Sequence, residues 1–112
     1  MPRQHERVSV SLEIVFELAS GKREARVSDL SRGGCFVDTI MDIAEGEEIV
    51  FQLKMPTGEW VKLSGKVAHR LPGFGFGISF TLPLTEEQRT PLYRIIFAHG
   101  GKLSGYTDQG HR

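Results

Sequence analysis

Residues 8–18 read Val8-Ser9-Val10-Ser11-Leu12-Glu13-Ile14-Val15-Phe16-Glu17-Leu18: every even position is apolar, and every odd one is polar except Val15. Successive side chains of an extended chain point to opposite faces, so this period of two marks a strand with one face buried and the other in water. Ala19-Ser20-Gly21-Lys22 then supplies turn chemistry, and Ala25 and Val27 resume the alternation up to Asp29. A second strand therefore returns antiparallel to the first.

The same period recurs downstream. After the polar break Asp29-Leu30-Ser31-Arg32-Gly33-Gly34, Cys35-Phe36-Val37 is a short strand, and Ile49, Phe51, Leu53 and Met55 mark a longer one that ends in the turn Pro56-Thr57-Gly58. Val61, Leu63, Gly65 and Val67 hold one face of the next strand and Trp60, Lys62, Ser64, Lys66 and Arg70 the other, up to the break Leu71-Pro72-Gly73. Between 74 and 82 Phe74, Phe76, Ile78, Phe80 and Leu82 share one face, while Gly75, Gly77 and Ser79 leave the opposite face small. A glycine-lined face implies that another backbone or a ligand comes close. Short strands at regular spacing with turn signals between them predict an all-β barrel or sandwich. One helix follows, with Leu92, Ile95 and Ile96 as its apolar stripe and Gly100-Gly101 as its end. Thr85 with Gln88 has the form of a capping box, but it would put Pro91 inside the helix, so the reading preferred here is Thr90 as cap with Pro91 at the first helical position. Such a helix could plug a barrel mouth. The expected organisation is an N-terminal arm over 1–7, a barrel with its helix over 8–100, and a polar, mobile tail over 101–112.

The chain has 112 residues, with 14 Lys+Arg against 14 Asp+Glu, 39% hydrophobic and 25% charged residues. That length is one domain, too short for a catalytic domain beside a regulatory one. Zero net charge argues against a broadly cationic binder of nucleic acid or membrane, because such affinity scales with the phosphates neutralised. There is no apolar run of membrane-spanning length and no signal-peptide stretch, so the expected location is the cytoplasm, without membrane insertion. The lone Cys35 suits a buried inert thiol and cannot form an internal disulfide or a cysteine-based zinc site.

Two short patterns carry chemistry. Arg3 and Arg7, spaced R-x-x-x-R, precede the first strand where no apolar residue anchors the chain. Arginine suits planar, bidentate partners: it grips phosphate oxygens, pairs with the O6/N7 edge of guanine and stacks on rings. The second pattern is Asp29-x-Ser31-x-x-Gly34 in the loop after the second strand. An aspartate can accept from both N–H groups on the Watson–Crick edge of guanine, a serine can donate or accept beside it, and a glycine lets backbone amides approach an anion. Taken singly, each has an ordinary reading as well: a solvated basic terminus, and an Asx or Ser turn joining two strands.

Together, Arg3-x-x-x-Arg7 and Asp29-x-Ser31-x-x-Gly34 with an intervening strand pair resemble the PilZ domain, the bacterial receptor module for cyclic di-GMP. The resemblance runs from about Arg3 to about Leu84, through Lys66-Val67-Ala68-His69-Arg70 and Gly75-Phe76-Gly77-Ile78-Ser79-Phe80. It implies a six-stranded antiparallel β-barrel with a C-terminal helix. It also implies that Arg3 and Arg7 clamp the phosphates and guanine rings, and that Asp29, Ser31 and Gly34 read a guanine edge and receive the ligand. Arg32, Gly33, His5 and Arg70 are candidate accessory contacts. The implied function is a second-messenger receptor or adaptor for motility, biofilm or secretion, with cyclic di-GMP as ligand, no cofactor or metal, and a protein effector as partner.

Other features weigh less. His69 shares the parity of Val61, Leu63 and Val67, so it reads as a half-buried or rim histidine. Lys62, Lys66 and Arg70 share a strand face that either extends an anion site or is simply solvated, and Trp60 either stacks on a base or packs at a strand edge. Asp38, Asp42, Glu45, Glu47 and Glu48 make an acidic segment suited to loop solubility or to a partner surface. No nucleophile–base–orienter set has diagnostic spacing, so no enzyme activity is predicted. The alternatives are a ligand-independent PilZ-like interaction module and a small-barrel binder of single-stranded nucleic acid. Zero net charge and the inward parity of Phe74, Phe76 and Phe80 count against the latter.

Overall fold

In a computed structural model that describes residues 7–18 and 20–100, the strands are β1 (Val8–Leu18), β2 (Gly21–Leu30), β3 (Gly34–Asp38), β4 (Glu48–Lys54), β5 (Trp60–Leu71) and β6 (Gly75–Phe80), followed by the helix α1 (Glu86–Ala98). Every neighbouring pair is antiparallel, and the order β1-β2-β3-β6-β5-β4 closes on itself through β1 and β4, where Ile14 faces Leu53 and Phe16 faces Phe51. Closure leaves no sheet edge unpaired. Arg3, His5 and the 101–112 tail lie outside the described residues.

The even residues of β1 that open the sequence face inward: Leu12, Ile14 and Phe16 are buried with Val27, Val37, Phe51, Leu63, Val67, Phe76 and Ile78. Phe16 meets Phe76 edge-on with ring centroids 6.1 Å apart, a favoured geometry for two quadrupoles. Leu84, Leu92, Ile95 and Ile96 belong to the same cluster, so the apolar stripe of α1 continues the barrel core.

The pairing shifts register at three places: between Ser9 and Leu12 of β1, where the alternation keeps its parity, and at bulges in β2 and β5 that reverse it. Val27 of β2 pairs with Val37, but Asp29 pairs with Phe36, so Ser28 is the extra residue, its hydroxyl donating to Asp38 at 2.9 Å. In β5 Val67 pairs with Ile78, whereas His69 pairs with Gly77, so Ala68 is extra. A bulge moves everything beyond it to the opposite face. This corrects the parity assigned to His69, which lies on the outer face and is exposed. It also separates Arg70 from Lys62 and Lys66: Arg70 is in register with Phe76 near the end of β5 and pairs with Asp42 at 3.4 Å.

Two further expectations are corrected. Phe74 is 74% exposed and Leu82 57% exposed, because β6 spans only Gly75–Phe80 and both lie in the chain beyond it. Phe74 therefore gives no argument against base stacking. The helix starts at Glu86 with Thr85 as its cap, and Pro91 is interior. The Thr85 hydroxyl accepts from the Gln88 N–H at 3.2 Å, the Gln88 side chain accepts from the Thr85 N–H at 2.8 Å, and the Gln88 amide donates to the Lys62 carbonyl at 3.1 Å. These bonds hold the first turn to β5. The bond that proline removes would have gone to the carbonyl of Glu87, an exposed residue where water can serve instead. Among the described residues no helix is long and apolar enough to cross a membrane.

The two capping schemes differ in which threonine matters. Thr85→Ala is expected to lower unfolding stability by about 1 kcal/mol, and Thr90→Ala to stay within about 0.5 kcal/mol, read from urea denaturation midpoints. The reverse order would restore the start at Pro91.

Candidate functional site

The bulges and the β2–β3 loop make a cleft of about 290 Å³ on the outer face of β2, β3, β6 and β5. Arg7, Asp29, Ser31, Gly33 and Gly34 line it together with Cys35, Phe36, His69, Gly77 and Ser79. Arg7 of the first pattern thus meets the second, from a position 22 residues before Asp29. Asp29 lies beside Ser9, the second residue of β1, which brings the start of β1 against the end of β2.

Arg7 approaches the Asp29 carboxylate at 3.8 Å, with half of the arginine side chain and 30% of the aspartate side chain exposed. A solvated pair at that separation is worth about 0–1 kcal/mol. The guanidinium is therefore held near the cleft without being committed to it, and a phosphate making a bidentate, less hydrated contact can outcompete the carboxylate.

Ser31 is buried and closes the loop on itself. Its N–H donates to the Gly34 carbonyl at 2.9 Å, its hydroxyl donates to the same carbonyl at 3.3 Å, and that hydroxyl accepts from the Gly33 N–H at 3.2 Å. The Gly33 carbonyl in turn accepts from the Phe80 N–H at 2.8 Å, fixing the loop to the end of β6. Ser31 has one acceptor lone pair left for a ligand, and its larger contribution is to the shape of the wall. Gly34 has a packing reason of its own: a Cβ there would collide with the Ile78 carbonyl of the neighbouring strand. Arg32 is partly buried in the same loop but is not among the lining residues, and Arg70, engaged with Asp42, also stands outside the cleft.

Cys35 lies beneath the wall. Burial, and secondarily the Asp29 carboxylate, push its thiol far above the ordinary value of 9.0, so it stays protonated. The sign follows from linkage: the unfolded thiol loses its proton first, so this contribution to stability is present below pH 9 and is lost as pH rises past the unfolded value, at up to about 1.4 kcal/mol per unit.

His69 and Phe36 were not singled out as site residues from the sequence. Phe36 carried the signal of an aromatic on the outward parity of its strand, whereas the position of His69 depends on the bulge at Ala68. A second groove of about 610 Å³ runs between β4, β5 and the start of α1, lined by Val50, Trp60, Lys62, Thr85 and Gln88 among others. The Lys54 ammonium lies 5.9 Å from the Trp60 ring centroid. This groove is larger, but it contains neither sequence pattern. Among the described residues no group of three His, Cys, Asp or Glu side chains is placed to hold a metal ion.

The family model for the PilZ domain matches residues 2–98. The fold is similar to the PilZ domain of YcgR from Escherichia coli, solved with c-di-GMP, with a TM-score of 0.68 and 20% identity over 88% of this chain and 92% of that one. It is also similar to the inhibitor of motility MotI/DgrA from Bacillus subtilis, with a TM-score of 0.72 and 14% identity over 88% of this chain. This chain spans 51% of the MotI/DgrA chain, about half its length. The PilZ domain of CeSA from a cellulose-synthesizing bacterium matches with a TM-score of 0.61 and 20% identity over 83% of this chain and 96% of that one. No curated protein sequence is matched. Identities this low establish the shared fold.

The thiol offers a check on the wall of the cleft. A thiol-specific dye at pH 8 is expected to leave Cys35 unmodified in the native chain and to label it fully in denaturant. Rapid labelling of the native chain would mean that the wall is open.

Proposed function

Because this chain belongs to the PilZ domain family, we propose that it is a receptor for cyclic di-GMP, and that the ligand is held in the cleft by Arg7, Asp29, Ser31 and Gly34 together with Arg3. The observation that carries this reading is the meeting of Arg7 with Asp29 and Ser31 in one cleft on a PilZ fold. The YcgR PilZ domain, matched over 92% of its length and solved with c-di-GMP, supports the choice of ligand.

The chemistry is complementary at each point. The ligand carries two phosphodiester anions and two guanines. Arg7 can leave its weak pairing with Asp29 for a phosphate, and the released carboxylate can then accept from the two N–H donors of a guanine edge. One ligand thereby separates the ion pair and satisfies both halves of it. In this proposal Arg3 supplies the second cation, and ligand binding draws the segment bearing Arg3 and Arg7 onto the barrel. The changed surface is then read by an effector protein in the control of motility, biofilm or secretion. Such a receptor needs no catalytic group, metal or cofactor.

Calorimetric titration with cyclic di-GMP, with GTP and a short single strand as controls, is the test. The expected result is binding of the cyclic dinucleotide alone, at roughly 10 µM or tighter, equivalent to about −7 kcal/mol. Arg7→Ala should weaken it well over tenfold, a loss of more than about 1.4 kcal/mol. Absence of binding by the unaltered chain would favour a ligand-independent interaction module, and binding of the single strand would favour the nucleic-acid reading.

A further inference from the structure

The sheet face beneath the cleft has a construction that neither sequence pattern describes. Phe36 of β3, Gly77 of β6 and His69 of β5 stand side by side, each in register with the next. Adjacent strands lie about 4.8 Å apart, so the backbones carrying the two rings are separated by roughly 9.6 Å. Yet the Phe36 and His69 ring centroids are only 6.0 Å apart, at an interplanar angle of 29°. Both rings therefore lean over the middle strand, where its glycines leave room: a Cβ on Gly77 would collide with the His69 ring at Cε1, and a Cβ on Gly75 with the Phe36 ring at Cε2. Gly75, Gly77 and the two rings form one unit, an aromatic floor across three strands. The bulge at Ala68 is what brings His69 to this face.

Phe36 is partly buried while His69 is exposed, so part of the pair stays open to the cleft that both residues line. Arg7, Asp29 and Ser31 line the same cleft and supply charge and hydrogen bonding. A pair of rings beside such a polar group is an arrangement that accepts a planar heterocycle, stacked against a ring and hydrogen-bonded at its edge.

Resting on the cyclic di-GMP reading above, we propose that the Phe36–His69 floor over Gly75 and Gly77 is the stacking platform for a guanine of the ligand, and that His69 is an affinity-determining residue outside both signature patterns. Stacking does not distinguish one purine from another, since each offers a π-face, so discrimination falls to Asp29 at the edge and affinity to the floor.

The test uses the full chain with cyclic di-GMP. His69→Ala should weaken binding roughly fivefold or more while leaving the melting temperature within a degree or two, because the side chain is exposed. His69→Phe, which keeps a ring over Gly77, should stay within about threefold of the unaltered chain. The guanine H8 proton provides a readout that a merely structural role would not move: it should shift upfield on binding to the unaltered chain and to His69→Phe, with much of that shift lost in His69→Ala. Unchanged affinity and unchanged H8 shift in His69→Ala, with tight binding by the unaltered chain, would overturn the floor and leave the receptor reading intact. Failure of the unaltered chain to bind would overturn both. Loss of binding in His69→Phe equal to that in His69→Ala would also overturn the stacking role, since the ring would then not be what the ligand requires.

Discussion

One extra residue in a strand reverses which face every later side chain occupies, and this chain uses that constraint twice. Without the bulge at Ser28, Asp29 would share the parity of Val27 and direct a carboxylate into the barrel core. Without the bulge at Ala68, His69 would share the parity of Val67 and point inward too. An unpaired charge in such a core costs several kcal/mol, so the first bulge is as much a requirement of folding as of function. The cleft exists because both residues are delivered to one outer face, on strands β2 and β5, with β3 and β6 between them.

The rest of the site is built to keep that face shaped and available. Ser31 closes its loop with hydrogen bonds to Gly33 and Gly34, and Gly34 lets β3 lie against the Ile78 carbonyl. Against this fixed wall the Arg7–Asp29 pair is weak, long and half solvated. Rigid walls with a loosely held cation suit a site that must exchange an internal ion pair for an anionic ligand. A formal net charge of zero is compatible with such a site, because selection then comes from local geometry and not from a bulk field.

Much of this was legible in the sequence. The alternation in residues 8–18 locates β1 to the residue, because period two follows from backbone geometry and little else. The Arg and Asp–Ser–Gly patterns located the described part of the polar cleft, since each residue type has a specific partner chemistry. The bulges were not legible: a bulge adds one residue without altering composition, so Asp29 and His69 appear on the inner parity. Phe74 misled for a related reason, since the alternation in the letters begins one residue before β6 does. At α1, the cost of Pro91 is a strong local signal, whereas the tie from Gln88 to Lys62 joins residues 26 apart in sequence and has no local signature.

The most direct measurement is an amide chemical-shift titration of the labelled chain with cyclic di-GMP. If the outer face of β2, β3, β6 and β5 receives the ligand, the largest changes will fall at Asp29, Ser31, Gly33, Gly34, Gly77 and Ser79, with Val50, Trp60 and Lys62 on the opposite groove nearly still. Changes concentrated at Val50, Trp60 and Lys62, or none at Asp29 through Gly34, would contradict the assignment of the cleft.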